Sequence, residues 1–565
     1  MAVENLITDH IDIWTSAVKT KSTSGRGSSK KLELYGVRKL RELILELAVR
    51  GKLVPQDPND EPASLLLERI AAEKAQLVKE RKITKPKKLA EVCDDEFSFE
   101  LPSNWDIRRL PEVYYTISPS GKKLKSSDVL EDGTYPVIDQ GQEAIAGYSN
   151  DEERVIDIES PIIIFGDHTR NIKYVDFSFV PGADGTKILC PIGIASEFFY
   201  LQLRSYDIEC RGYGRHFKIL NENLFVVPPL KEQHRIVAKV DELMALCDQL
   251  EQQTEASIEA HQVLVTTLLD TLTNSADADE LMQNWARISE HFDTLFTTEE
   301  SIDQLKQTIL QLAVMGKLVP QDPSDEPAAE LLKRVAEEKA QLVKEKKIKK
   351  QKALPPISED EKPFELPSGW EWTHMDELFY VSGGLQKTPK RTPVSNHFPY
   401  LAVANVQRGR LELDELKRFE VTPEELEQYK LLAGDLMVVE GNGSENEIGR
   451  CAIWSEDVPD CLHQNHLIRC RPLIPALSFW VLNVLNSPLG INTMKSLAVT
   501  SSGLYNLSVG KIRGIFLPMP PLNEQKRIVS KIKELTSICD QLKAHLNESQ
   551  ATQLHLTDTI VEQAV

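Results

Sequence analysis

Gly51–Pro58 reads GKLVPQDP, and 265 positions later Gly316–Pro323 reads the same eight letters. Glu73–Glu80, EKAQLVKE, recurs at the same offset as Glu338–Glu345, and Phe99–Ser103 followed by Trp105 returns as Phe364–Ser368 followed by Trp370. A second pair of blocks, Pro228–Leu250 and Pro520–Leu542, repeats at an offset of 292, so the segment between the blocks is 27 residues longer in the second half. An internal repeat of this length constrains the architecture more than any local propensity does: one frame must be built twice.

The repeated blocks have helical spacing. Leu40, Ile44 and Leu47, matched by Leu305, Ile309 and Leu312, form one apolar face that must end near Gly51 and Gly316, ahead of the P-Q-D-P turn. Charged helices are predicted over Ala63–Lys79 and Ala328–Lys344. In the closing blocks Ile236, Val240, Leu243, Cys247 and Leu250 step by four and three, continuing through Thr254, Ser257 and His261 to Leu264 and Leu268. The copy runs Ile528, Ile532, Leu535, Cys539 and Leu542, then Leu546, Ser549, Gln553, Leu556 and Ile560. This predicts a heptad seam with a polar middle on two helices of about 40 residues, each roughly 60 Å long.

Between the blocks lie two segments of another character, 105–227 and 370–519, with short β-like runs at Pro161–Phe165, Phe177–Val180, Tyr400–Val403 and Leu436–Val439. Apart from their edges the two show no likeness. The expected organisation is α+β: an N-terminal helical region (1–98), a first mixed domain (99–228), a central helical region (229–350), a second mixed domain (364–520) and a C-terminal helix (521–565).

The motifs PPLxEQxRIVxKxxEL at Pro228 and Pro520, and LxLAVxGKLVPQDPxDEPA at Leu45 and Leu310, resemble the shared helical regions of the specificity subunit of type I restriction-modification systems. The two diverse segments are similar to that family's target recognition domains. Phe165–Asn171 with Pro181–Thr186, and Arg211–Phe217, resemble a recognition core and its terminal loop; Ala433–Leu436, Gly449–Arg450 and Gln464–His466 resemble another version. The resemblance implies two mixed α/β recognition domains joined by two long antiparallel coiled-coil regions in a pseudo-two-fold arrangement. It also implies that each domain reads half of a bipartite, asymmetric site in double-stranded DNA, while the helices set the spacer and dock two adenine-N6 methyltransferase subunits. Two restriction and translocase subunits would join through that core. S-adenosylmethionine would belong to the methyltransferase, and ATP and Mg to the restriction subunit, with no cofactor in this chain.

Discrimination needs side chains that reach base edges, and affinity needs cations on phosphates. The candidates in the first domain are His168, Arg170, Asn171, Lys173, Arg211, Tyr213, Arg215 and His216, with Lys122, Lys123 and Lys125 as a phosphate patch. Those in the second are Gln386, Lys387, Lys390, Arg391, Asn442, Ser444, Asn446, Arg450, Gln464, His466, Ser501, Ser502, Tyr505 and Asn506. Arg170, Arg215 and Arg450 rank first. A solvated loop is the plain alternative for each. Cys461, His463, His466 and Cys470 carry zinc-ligand chemistry, but strand alternation turns 461 and 463 away from 466 and 470, so no metal is expected. The basic runs Arg81–Lys85 and Lys346–Lys350 read better as solvated linkers than as phosphate contacts.

The chain lacks the Asn/Asp-Pro-Pro-aromatic tetrad that grips a flipped adenine, a methyl-donor glycine loop and a Walker loop, which points to a non-catalytic subunit. The competing classes are a single-chain methyltransferase or nuclease, and a coiled-coil protein scaffold. With 66 basic against 86 acidic residues the net charge is −20, which excludes a protein that coats nucleic acid non-specifically. Most electrostatic affinity is therefore expected from methyltransferase partners enclosing the duplex. Eight cysteines without a C-x-x-C pair, no long apolar run and no signal-peptide core imply a reduced, cytoplasmic protein, and the resemblance implies a bacterium or archaeon as its source.

Overall fold

A computed structural model of the 565-residue chain describes residues 3–22, 30–86, 88–97, 99–182, 185–210, 212, 214–442, 447–501 and 504–565. They form a mixture of helix and sheet that divides into two compact units. The first holds residues 1–21, 32–256 and 550–565; the second holds 22–31 and 257–549.

Helices α1 (Val3–Thr8) and α2 (Ile11–Ser16) and strands β1 (Lys19–Ser22) and β2 (Lys30–Glu33) precede α3 (Tyr35–Val49) and α4 (Ala63–Lys79) of the first unit. Leu40, Ile44 and Leu47 are buried on α3, as their spacing requires. The helix stops because Gly51 takes a left-handed φ of 70° and its Cα lies under Pro102, where a Cβ would meet the ring 2.5 Å away. The equivalent helices of the second unit are α10 (Glu299–Val314) and α11 (Ala328–Lys344), with Gly316 at φ 71° under Pro367. Arg81 and Lys346, just past α4 and α11, are themselves left-handed and exposed.

The first recognition domain contains β3 (Asp106–Arg109), β4 (Tyr114–Ile117), β5 (Tyr135–Ile138), β6 (Gly147–Ser149), β7 (Ile162–Gly166), β8 (Ile172–Val175), β9 (Val180–Pro181), β10 (Thr186–Pro191), α5 (Ser196–Ser205), α6 (Phe217–Leu220) and β11 (Leu224–Val227). Its central sheet has the order β4-β10-β7-β8, a smaller one β6-β5-β9, and β3 pairs with β11 where the chain enters and leaves. All five residues of β7 are buried, so this strand reads as a continuous apolar run without alternation. Only the end of the expected Phe177–Val180 run becomes strand; Phe177 itself is exposed.

The long helix α7 (Leu230–Asn274) leads through α8 (Ala278–Glu290) and α9 (Phe292–Leu295) to α10. The second recognition domain follows α11: β12 (Glu371–His374), α12 (Met375–Leu378), β13 (Phe379–Gly383), β14 (His397–Leu401), β15 (Val406–Gln407), β16 (Arg410–Leu411), β17 (Lys417–Glu420), α13 (Pro423–Tyr429), β18 (Leu436–Val439), β19 (Gly441–Asn442), β20 (Cys451–Ile453), β21 (Leu462–His463), β22 (Leu467–Pro472), α14 (Ser478–Asn486), α15 (Pro488–Leu497), β23 (Val499–Ser501), β24 (Leu504–Asn506), α16 (Val509–Arg513) and β25 (Phe516–Met519). Helix α17 (Leu522–Ala564) closes the chain.

Three sheets of the second domain are β13-β22-β18-β20, β17-β14-β21 and β12-β25, beside the small additions β15-β16 and β19-β24-β23. Each of the three matches a sheet of the first domain strand for strand, including one parallel pair in each small sheet, β5 with β9 and β14 with β21. The two segments, which show no likeness in sequence apart from their edges, thus share a strand order. Buried strands need only apolar residues of suitable bulk, so sequence likeness can vanish while strand order persists.

The predicted seam holds over its first half. Ile236, Val240, Leu243 and Cys247 are buried, with Leu250 half-buried; Ile528, Ile532 and Cys539 are buried, with Leu535 and Leu542 half-buried. Beyond these the expected phase fails. Ser257, Leu264, Ser549 and Leu556 are exposed, while Val265, Leu269, Leu272 and Thr557 are buried instead. A straight helix at 3.6 residues per turn drifts about 20° per heptad, so over the roughly four heptads from Ile236 to Val265, or from Ile528 to Thr557, the buried stripe moves on by about 80°, close to the 100° of one position.

The second halves also meet a third helix. In the second unit Val265, Leu269 and Leu272 of α7, Ile302, Leu305, Ile309 and Leu312 of α10, and Ile528, Ile532 and Cys539 of α17 belong to one apolar cluster. Gln262 bonds Glu300 and Lys317 reaches Thr273, so α7 runs parallel to α10; Lys543 pairs with Asp303 and Gln321 with Glu524, so α17 runs antiparallel. In the first unit the roles exchange. Arg41 pairs with Asp248 and Gln56 with Glu232, which sets α7 antiparallel to α3, while Tyr35 and Arg50 reach Asp558 and Val565 of α17 in parallel order. His261 faces the Leu295 carbonyl at 2.9 Å, a local hydrogen bond between α7 and α9. No helix among the described residues is long and apolar enough to cross a membrane.

Candidate nucleic-acid interface

In the first domain the β7–β8 connection, 167–171, is held from inside. Asp167 is buried; its N–H donates to the Gly185 carbonyl at 2.8 Å, its carbonyl accepts the His216 N–H at 2.8 Å, and its carboxylate accepts the Phe217 N–H at 2.9 Å. Segments 165–171 and 214–217 of the two sequence motifs are thereby brought together.

Gln140, which the sequence reading missed, organises the 167–171 connection. Its carbonyl accepts from the Thr169 hydroxyl and, at 3.0 Å, from the Asn171 amide, and its Oε1 accepts the His168 N–H at 3.2 Å. Gly185, at φ 100°, makes room, since a Cβ there would sit 2.4 Å from Gln140 Oε1. The Asp139-Gln140-Gly141 turn was the available signal: the Gly141 N–H donates to Asp139 Oδ1 at 2.8 Å.

The candidates of this domain fall into two groups. His168 and Asn171 line the turn half-buried, and Arg215 and Lys125 are exposed. Others are committed internally, contrary to a DNA-facing expectation. His216 is fully buried, with Nδ1 2.9 Å from the Asp167 carbonyl. Lys173 is 8% exposed beside Asp139 at 3.4 Å, and burial pushes its ammonium below its ordinary range despite that carboxylate. Arg170 takes a left-handed φ of 65° and donates to the Ile208 carbonyl at 2.8 Å, tying the turn to the terminal segment. Lys122 donates to the Val155 carbonyl at 2.5 Å; Lys123 is half-buried, and it is its backbone carbonyl, not its ammonium, that accepts from Arg154. Arg211 and Tyr213 lie outside the described residues.

The second domain repeats the device with different residues. The Glu440 N–H donates to the His466 carbonyl at 3.0 Å, and the Glu440 carbonyl accepts the Leu507 N–H at 2.7 Å, the same two bonds that Asp167 makes to its neighbours. Burial raises the Glu440 carboxyl, and exposed His466 stands 3.6 Å from it. Here the terminal segment is a β-ribbon: Asn442 pairs with Tyr505, Gly441 with Asn506, and Ser501 with Leu504. The predicted residues Asn442, Ser501, Tyr505 and Asn506 thus share one small sheet, while Ser444, Asn446 and Ser502 lie outside the described residues.

Arg450 has internal partners in this domain. Its guanidinium donates to Gln407 Oε1 at 2.9 Å, Glu447 Oε2 at 3.0 Å and the Val403 carbonyl at 3.3 Å, which makes it an internal brace. Arg391 is likewise engaged with both oxygens of Glu425, at 3.2 and 2.9 Å, whereas Gln386, Lys387 and Lys390 are exposed. Gln464 is half-buried, and its N–H donates to the Leu401 carbonyl at 3.0 Å.

The tempting zinc cluster is dispersed over β21, β22 and the turn between them. Cys461, His463 and Cys470 are buried and His466 is exposed; burial pushes the Cys461 thiol up to about 12 and His463 down to about 3. Among the described residues no three His, Cys, Asp or Glu side chains are grouped so that they could hold a metal ion.

Comparison with known proteins agrees with this double construction. The family model described as type I restriction modification DNA specificity domain matches twice, over residues 102–260 and 367–549. The chain is 43% identical over 599 residues to the type I restriction enzyme EcoAI specificity subunit of Escherichia coli, covering all of both chains. It is also 43% identical over 602 residues to the EcoEI specificity subunit of the same species, again covering all of both. A solved chain from work on complex assembly and conformational transition of the type I R-M system aligns with a TM-score of 0.46 at 17% identity, over 83% of this chain and 99% of that one. With one family model matched twice and full-length identity to two such subunits, the chain belongs to the family of type I restriction-modification DNA specificity subunits.

Proposed function

We propose that each recognition domain reads one half of a bipartite, asymmetric DNA site, that the long helices set the unread spacer, and that the chain itself catalyses nothing. The observation that carries this reading is one strand topology built twice on a repeated helical frame, with different residues in the loops that gather around Asp167 and Glu440. Two readers carried on helices tens of ångströms long suit half-sites about one helical turn apart on a duplex.

Within this reading two adenine-N6 methyltransferase subunits, carrying S-adenosylmethionine, dock on the helices. The support is a pair of exposed apolar positions that repeat between the helices at the offset of the closing blocks, Leu246 with Ile538 and Leu264 with Leu556. Equivalent patches on two helices suit two copies of one partner. Restriction subunits that use ATP and Mg join through the methyltransferases.

Replacing residues 105–227 with another recognition domain, in cells that also express the methyltransferase, tests the proposal. The methylated motif is expected to change in one half only, with the other half and the spacer retained. Changes in both halves would refute it; methylation by this chain alone would point to a self-contained enzyme, and partner binding without sequence-selective DNA binding to a scaffold.

A further inference from the structure

The repeated blocks preserve more than helices. In the first unit Glu232, 1% exposed in the first turn of α7, accepts the Trp105 indole N–H at 3.0 Å on one oxygen and the Gln56 amide at 2.7 Å on the other. Arg235, one turn on, pairs with Asp60 at 2.7 Å, and the Ala63 N–H donates to the Asn104 carbonyl at 3.0 Å. In the second unit Glu524, also 1% exposed, accepts from Trp370 at 3.0 Å and Gln321 at 3.3 Å; Arg527 pairs with Asp325 at 2.6 Å, and the Ala328 N–H donates to the Gly369 carbonyl at 2.9 Å. Each cluster ties three segments: the turn after α3 or α10, the entry to the recognition domain at β3 or β12, and the start of the long helix.

Burying a carboxylate costs free energy that apolar packing there would not, so stability alone does not explain such a cluster. Directional bonds do something apolar contacts cannot: they hold one angle and resist sliding. The clusters sit at the base of each domain, where β3 pairs with β11 and β12 with β25, so that angle sets the tilt of everything above it. For a domain about 25 Å across, a tilt of about 8° moves the far loops by roughly 3.4 Å, one base-pair step.

We propose that Trp105–Glu232–Gln56 and Trp370–Glu524–Gln321 are alignment locks that fix each recognition domain's angle on its long helix and so hold the spacer to a single length. The inference rests on the proposed reading of a bipartite site. These side chains are positioning residues and touch no base.

The test uses the full chain co-expressed with its methyltransferase and duplexes whose spacer is one base pair shorter than, equal to, or one longer than that of the natural site. Trp105→Phe and Trp370→Phe each remove one bond to the buried carboxylate, and are expected to raise methylation of the two off-length duplexes, relative to the natural length, by about tenfold with the same bases read in both halves. Gln56→Ala and Gln321→Ala keep the indole bond and carry the test if the tryptophan variants fold poorly. Variants that lower the melting temperature yet keep a strict spacer would overturn the proposal and leave the clusters as packing alone. A wild-type methylome without a bipartite motif would overturn the underlying reading, and the lock with it, and is recognised before any variant is made.

Discussion

The two recognition domains differ most beside the sheets they share. In the first, the connection between the paired strands β7 and β8 takes five residues, 167–171; in the second, that between β18 and β20 takes eleven, 440–450, and pairs with the β23–β24 ribbon. Beneath these connections, Asp167 and Glu440 make the same two backbone bonds to the segment before the last sheet strand and to the terminal loop. Strand order and anchoring bonds belong to the scaffold, so the loops between the anchors are free to lengthen and change chemistry, as binding loops on rigid scaffolds do.

The comparison breaks first in the core. Phe165 and Val438 occupy the same place in the second-to-last sheet strand and both are fully buried. Phe165→Ala is expected to cost about 3–5 kcal/mol, and Val438→Ala less because it removes fewer atoms. Hydrogen exchange should rise in the strands of the mutated domain and stay unchanged in the other.

Acid should separate the domains next. Burial holds His463, at the end of β21, near 3, against an ordinary value of 6.5, whereas the first domain has Pro181 at the matching end of β9. The unfolded chain therefore takes up the proton first. The contribution is complete above about pH 6.5 and is lost as pH falls toward 3, by up to about 1.4 kcal/mol per pH unit. Hydrogen exchange corrected for its intrinsic pH dependence should show the second domain loosening between pH 6.5 and 4.5 more than the first, and His463→Gln should reduce that difference.

Two arginines ranked together by sequence should then behave differently. Arg450→Ala strips donors from Gln407, Glu447 and the Val403 carbonyl and is expected to destabilise the second domain by about 1–3 kcal/mol, read by denaturant unfolding. Arg215→Ala, at an exposed site, should leave stability unchanged and weaken binding to one half-site by about 1 kcal/mol, with the salt slope reduced by about one.

Legibility followed the same division. The bounds of α4 and α11, Ala63–Lys79 and Ala328–Lys344, and the run Leu436–Val439 were readable because each is a local pattern of period 3.6 or a bounded apolar run. The second half of the helical seam was not, because a seven-residue repeat assumes 3.5 residues per turn while α7 and α17 keep the straight-helix period. Loop chemistry was half legible. The motifs around His168 and Arg215 do converge, but nothing in their letters distinguishes Arg215, which is exposed, from Arg170 and Arg450, whose guanidiniums serve carbonyls and side chains far away in sequence.

The sequence by itself determined that one helical frame is built twice and that two diverged segments hang from it, because exact repetition and helical period are one-dimensional properties. Only the tertiary structure decided that those segments share a strand order, that Gln140, Asp167 and Glu440 anchor the loops beside them, and that Trp105 and Trp370 are pinned to buried carboxylates. Each of those depends on residues dozens to more than a hundred positions apart meeting at hydrogen-bond distance, and chain closure over such separations is set by packing that no local pattern records.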